Sequence, residues 1–200
     1  TSSIRKENVC VSEYTLTAQP ALGGYQETFD GVSLQELTEL AIISIAVPNG
    51  GADAVSKALS DTYGASLPKA GETSRSEDGQ TRFLGMARDQ MFAIFNHPEP
   101  NALNIVAGKL KDVSYLTSQS DNWVGLRLSG PNSRDVLERI CPLDLEPSQF
   151  AEGKVARTAM EHMGVIILPG GKDAFLLITA SSSAASFLHA VETSIHYVVD

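Results

Sequence analysis

Residues 123–141 read WVGLRLSGPNSRDVLERIC, and the spacing of their apolar residues changes midway. Apolar and polar or small residues alternate over 124–128, which predicts a half-buried strand. From Val136 to Ile140 the apolar residues follow helical spacing instead. Pro131 is suited to the first helical position, and Pro142 ends the helix. The stretch therefore predicts a strand, a Gly-Pro turn and a helix.

This order of elements occurs twice, in residues 41–118 and again in residues 122–200. Each pass reads β-α-β-β-α-β, the split unit of ferredoxin-like folds. We predict an α+β fold of two tandem ferredoxin-like units that share a core, since a unit of about eighty residues buries little area alone. The predicted strands are 42–47, 82–88, 91–96, 113–118, 123–128, 155–160, 164–169, 174–179 and 195–199. The predicted helices follow Gly51 and Pro131 and cover 101–111 and 181–194.

Residues 1–40 differ from the 41–200 domain, because they are polar, contain glycines and a proline, and lack sustained periodicity. They predict an extended N-terminal arm that is either disordered or laid along another surface. Tyr14, Tyr25 and Phe29 favour the docked alternative, since aromatic residues are enriched at buried contacts between proteins.

Composition limits the function classes. A net charge of -9 argues against nucleic-acid binding, which needs clustered Lys and Arg. No apolar run reaches the roughly 18 residues that cross a bilayer, and no signal-like segment begins the sequence, so we expect a cytoplasmic protein without membrane contact. Cys10 and Cys141, the two cysteines, lie far apart and predict neither a disulfide framework nor a cysteine-ligated metal site.

We assign no catalytic, cofactor-binding or metal-binding residues. Gly50-Gly51 is interpreted as a turn, because no dinucleotide-binding or phosphate-loop spacing follows it. Residues 170–173 (GGKD) are interpreted as a hairpin turn, because they lie between two predicted strands. Zinc would need three or four convergent ligands, which the histidines do not offer. The four histidines are His97, His162, His189 and His196.

The other candidate residues also have structural interpretations. Ser181–Ser183 are expected to cap a helix, and Cys141 is expected to be a small buried residue. The acid pairs are expected to face solvent; they are Glu36 with Glu39 and Asp144 with Glu146. Trp123 has two open interpretations, a core residue or an anchor for another subunit.

Three stretches resemble a known family: 126–137 (LRLSGPNSRDVL), 157–168 (RTAMEHMGVIIL) and 173–188 (DAFLLITASSSAASFL). They are similar to the gamma subunits of heterotetrameric sarcosine oxidases, which belong to the aminomethyltransferase superfamily. The strand-Gly-Pro-helix element is shared with the folate-dependent T-protein of glycine cleavage. T-protein-like transferases are far longer and carry a C-terminal β domain, so length favours the gamma-subunit family.

The resemblance implies a non-catalytic assembly component of an oxidoreductase that acts on CH-NH donors with oxygen. The complex demethylates sarcosine to glycine, with hydrogen peroxide and either formaldehyde or 5,10-methylenetetrahydrofolate as products. The resemblance places FAD, FMN, NAD, tetrahydrofolate and zinc on other subunits, and it names the alpha, beta and delta subunits as partners. Two alternatives stay open: a free-standing folate-binding one-carbon protein, and a ferredoxin-like regulatory module that binds a small molecule.

Overall fold

The computed structural model describes residues 19–98 and 101–199, so Cys10 and Tyr14 lie outside the described residues. The strands are β1 (Gln26–Phe29), β2 (Val32–Glu36), β3 (Leu40–Ala46), β4 (Thr73–Arg75), β5 (Arg82–Ala87), β6 (Gln90–Asn96), β7 (Tyr115–Ser118), β8 (Trp123–Ser129), β9 (Ala156–Met160), β10 (Met163–Gly171) and β11 (Ala174–Ala180). The helices are α1 (Ala52–Tyr63), α2 (Ala102–Leu110), α3 (Ser133–Glu138) and α4 (Ala184–Val199). The fold thus mixes helices and strands, as the hydrophobic spacing predicts.

The strands form two antiparallel sheets. The six-stranded sheet has the order β1-β2-β8-β11-β10-β9, and the five-stranded sheet has the order β4-β5-β6-β3-β7. In both, a hairpin (β10-β11 or β5-β6) lies beside the strand that precedes the Gly-rich turn (β8 or β3). The two strand-to-helix elements therefore hold equivalent places in the two sheets.

The core has three parts, one on each outer sheet face and one between the sheets. Helices α3 and α4 pack on the six-stranded sheet around Leu126 and Phe187, both fully buried. Helices α1 and α2 pack on the five-stranded sheet around Phe83 and Val106. Between the sheets lie Ile42, Leu84, Phe92, Ile94, Val155, Ile166, Leu168 and Ile178. Both sheets thus contribute to one shared apolar layer.

Part of the predicted arm belongs to the core. Strands β1 and β2 form a hairpin, and β2 pairs antiparallel with β8 from Ser33–Ser129 to Glu36–Leu126. Val32 and Leu34 are 2% and 0% exposed. The strands are short, and β2 pairs with a strand about ninety residues downstream, which local sequence patterns do not report. Residues 26–36 are therefore laid along the six-stranded sheet, as in the docked alternative, and Tyr25 and Phe29 pack against its core. The predicted boundary at residue 40 is wrong for these residues, because they belong to the domain.

The predicted closing strand at residues 195–199 is also wrong, because α4 continues to Val199. Ile195 is fully buried, and it follows Phe187 and Val191 at helical spacing. The position beside β8 that a closing strand would take is occupied by β2. Packing thus overrides the strand preference of the β-branched residues at this end of the chain.

The turn before α3 differs from the prediction in one detail. Helix α3 begins at Ser133 with Asn132 as its N-cap, so Pro131 precedes the helix. Strand β4, which is not among the predicted strands, adds a short edge beside β5. In the described ranges, no helix is long and apolar enough to span a membrane.

Candidate functional site

The connection from β2 to β3 carries the chain from one sheet to the other and separates two clefts. Leu37 and Leu40 line both of them. The larger, about 550 Å³, is called the Trp123 cleft and includes Glu36, His97, Asp121 and Trp123 in its wall. The smaller, about 290 Å³, is called the arginine cleft because Arg75, Arg82 and Arg127 line it.

Trp123 lies at the boundary between the inter-sheet core and its cleft. Its ring meets the Phe92 ring edge-on, with centroids 6.1 Å apart, and the Arg157 guanidinium lies 5.9 Å from its centroid. Its indole Nε1 is buried and has no hydrogen-bond partner among the described residues. The residue packs against the inter-sheet core and also faces a cleft, so both of its predicted roles fit its position.

Glu36 does not face solvent, so that prediction is wrong. The residue is 5% exposed. Its Oε1 accepts a hydrogen bond from the Leu22 N-H at 3.0 Å, and its Oε2 accepts one from the Gly24 N-H at 2.7 Å. A signal was present in the sequence, since Val32, Leu34 and Glu36 share one face of a strand by alternation. The carboxylate thus fixes the loop before β1 instead of serving as a free acid.

Tyr25 makes a second attachment of the N-terminal loop. Its hydroxyl oxygen lies 2.6 Å from Glu192 Oε1 on α4 and 2.7 Å from Glu27 Oε2. Burial, together with these two carboxylates, raises the pKa of Tyr25 far above its ordinary value. Tyr25 is therefore neutral at all ordinary pH values and connects the loop to α4.

The histidines lie in separate environments. His97 Nε2 is 2.6 Å from Asn101 Oδ1 at the start of α2. His196 meets Phe29 edge-on at 5.4 Å, His162 lies in the β9-β10 turn with φ 66°, and His189 is exposed on α4. Within the described part of the chain, no three His, Cys, Asp or Glu side chains are grouped as metal ligands.

The remaining candidates lie in turns or in the core. Gly51 donates its N-H to the Pro48 carbonyl in a turn. Residues 170–171 end β10, and residues 172–173 form the turn before β11. Cys141 is buried, and burial raises the pKa of its thiol. Asp144 and Glu146 are exposed.

Ser181 does not cap α4 as predicted. Ser181–Ser183 form a short 3₁₀ turn before that helix, and the Ser181 hydroxyl donates to the Asp121 carbonyl at 2.8 Å. The bond joins the start of this turn to the segment before β8. Sequence reasoning missed this use of the hydroxyl because the partner is sixty residues away in the chain.

Comparison with curated proteins finds relatives of one kind. The chain is 27% identical over 171 residues to the sarcosine oxidase subunit gamma of Corynebacterium sp. strain P-1, covering 84% of this chain and 79% of that protein. It is 26% identical over 175 residues to the sarcosine oxidase subunit gamma of an Arthrobacter species, covering 86% and 81%. No family model matches the chain. The resemblance carried by the three stretches of the sequence is thus confirmed.

Solved structures share the fold. A chain of heterotetrameric sarcosine oxidase from Corynebacterium sp. U-96 matches with a TM-score of 0.72 and 22% identity, over 84% of this chain and 86% of that one. Aminomethyltransferase T of the glycine cleavage system from Bartonella henselae matches with a TM-score of 0.58 and 15% identity, over 84% of this chain and 53% of that one. Over the aligned residues, both structures share the fold of this chain.

Proposed function

We propose that this chain is the gamma subunit of a heterotetrameric sarcosine oxidase, a non-catalytic component that assembles and stabilises the complex. The observation that carries the proposal is the agreement of the curated relatives. Three of them match along about four fifths of their length, and all three are named sarcosine oxidase subunit gamma. The complex would oxidise sarcosine to glycine with formation of hydrogen peroxide and formaldehyde or 5,10-methylenetetrahydrofolate.

Three side chains in the wall of the Trp123 cleft support an assembly role, because they already make contacts within the fold. Glu36 holds the N-terminal loop, His97 contacts Asn101, and Ser181 contacts the Asp121 carbonyl. A general acid or base must lie within hydrogen-bond distance of the substrate proton that it transfers. Both carboxylate oxygens of Glu36 instead accept hydrogen bonds from backbone N-H groups. Following the family resemblance, we propose that the chemistry, and with it FAD, FMN, NAD, tetrahydrofolate and zinc, belongs to the alpha, beta and delta subunits of a cytoplasmic complex.

The scaffold itself is best understood as a duplicated ferredoxin-like unit. The order β4-β5-β6-β3-β7 in one sheet corresponds strand by strand to β9-β10-β11-β8-β2 in the other. In this interpretation the N-terminal hairpin completes the second unit, taking the place that β7 holds in the first. The apolar layer between the sheets then gives the two units a shared core.

Co-expression of the other three subunits with and without this chain tests the proposed function. Size-exclusion chromatography follows assembly, and sarcosine-dependent peroxide formation follows activity. We expect the heterotetramer and its activity only when this chain is present. Full assembly and activity of the other subunits alone would refute an assembly role.

Tetrahydrofolate titration of the isolated chain separates this function from a folate-binding one. The assembly role predicts no heat of binding in calorimetry at millimolar tetrahydrofolate. Saturable binding would favour the free-standing one-carbon protein.

A further inference from the structure

The arginine cleft combines three positive charges in a protein of net charge -9. Arg75 and Arg82 come from β4 and β5 of the five-stranded sheet, and Arg127 comes from β8 of the six-stranded sheet. None of the described residues that line this cleft is acidic. The fold thus brings separate parts of the chain together into a local positive surface.

Two of the arginines, Arg75 and Arg82, already interact with other groups of this chain. Arg82 has a side chain only 12% exposed, and its Nη1 donates to the Pro169 carbonyl at 2.7 Å. Arg82 Nη2 lies 3.8 Å from Glu152 Oε2, and Arg75 Nη2 lies 3.6 Å from the same oxygen. One carboxylate therefore serves two guanidinium groups, and a positive charge remains.

Arg127 adds a charge that no described residue neutralises. Leu126 and Leu128 point to the helices and are fully buried, so Arg127 lies on the opposite face, towards the five-stranded sheet. Its cross-strand neighbours there are Leu176 and Gln35. The Arg127 residue is exposed and lines the cleft together with Arg75 and Arg82 of the five-stranded sheet. An exposed arginine suits a carboxylate partner, because the planar guanidinium group forms two parallel hydrogen bonds with the two carboxylate oxygens.

The arginine cleft is small. Its volume of about 290 Å³ lies at the lower limit of the roughly 300–1,000 Å³ that is usual for small-molecule pockets. Such a cleft accommodates one or two side chains. We propose that the arginine cleft is an interaction surface that receives an acidic side chain, Asp or Glu, of a partner subunit. This proposal rests on the proposed function, which supplies the partner chain.

Charge reversal in the complex tests the proposal. We expect Arg127→Glu to weaken binding of this chain to the other subunits by about tenfold or more, because the acidic partner then meets a like charge. Arg88→Glu is the matched control, since Arg88 is exposed in the β5-β6 turn and does not line the cleft. It should change the dissociation constant by less than about twofold. Arg127→Lys keeps the positive charge but loses the planar guanidinium group. Its dissociation constant should lie between those of the wild type and Arg127→Glu.

Stability controls make the comparison independent of folding. Arg127 is exposed, so Arg127→Glu and the milder Arg127→Gln should unfold at the wild-type temperature as isolated full-length chains. Equal binding by the Arg127→Glu and Arg88→Glu variants, whether both normal or both weakened, would overturn the proposal. It would also fail if glutarate stabilised the isolated wild type while Arg127→Glu assembled normally, since the occupant would then be a small molecule. Failure of the wild-type chain to assemble would instead refute the proposed function.

Discussion

Glu36 shows how one buried charge fixes the beginning of the described chain. Both of its oxygens accept backbone N-H groups, and charged hydrogen bonds of this kind contribute about 1.5–3 kcal/mol each. Glu36→Gln replaces one acceptor with an amide NH₂ that faces a donor. We expect the free energy of unfolding to fall by about 2 kcal/mol, measured by urea denaturation. The control is Glu39→Gln, an exposed acid nearby, and a loss of equal size there would contradict the account.

Tyr63 presents the opposite case, a buried hydroxyl without a partner among the described residues. Its ring meets Phe83 edge-on, with 5.0 Å between centroids, and the Lys109 ammonium lies 3.9 Å from its centroid. Tyr63→Phe keeps these contacts and removes the unpaired hydroxyl. We expect it to leave the free energy of unfolding unchanged or to raise it by about 1 kcal/mol in urea titrations at pH 7.

The pH dependence of stability gives Tyr63 a second, independent test. Burial, assisted by the Asp78 carboxylate, raises the pKa of Tyr63 from 10.0 to about 12. The unfolded state therefore loses its proton first, and stability falls as the pH rises from about 10 to about 12. Tyr63→Phe should remove that component of the slope. The Tyr115→Phe control, at a residue that is 71% exposed, should retain it, and identical slopes in the two variants would be evidence against this pKa.

At the scale of elements, the N-terminal hairpin is held against the β8-α3 turn at a close backbone contact. Gly130 has φ +121°, and a Cβ there would lie 2.3 Å from the Gly31 carbonyl oxygen. Gly130→Ala should therefore lower the free energy of unfolding by about 3 kcal/mol or more, measured by urea denaturation. Gly50→Ala, with φ +75° and open space around the Cβ, should cost only about 1 kcal/mol. Equal costs for the two substitutions would mean that the hairpin does not pack as described.

The same scale shows what local patterns predict and what they miss. The β8-α3 element is predictable because the change from alternation to helical spacing is complete within twenty residues of sequence. The end of α4 is not, since Ile195 reads as a strand residue until its burial beside Phe187 and Val191 is known. The β1-β2 hairpin depends on β8, and so its place in the core is a long-range property of the fold.

For the whole molecule, the two clefts depend on the way the sheets are joined. Arg75, Arg82 and Arg127 are scattered in the sequence and meet only when the two sheets face each other. Glu36 could have been recognised from its place on the buried face of β2, while the exposed Arg127 carries no comparable signal. The family resemblance is the basis for proposing a multi-subunit complex. The structure is the basis for proposing the arginine cleft as a surface that contacts a partner subunit.

The central claim, that this chain is a subunit of a sarcosine-oxidising complex, is tested most directly by native mass spectrometry. The complex is isolated through a tag on this chain after co-expression with the alpha, beta and delta subunits. The account predicts one dominant species that contains one copy of each of the four chains and that oxidises sarcosine. A tagged chain recovered alone or only with itself, beside an active complex of the other three, would contradict it.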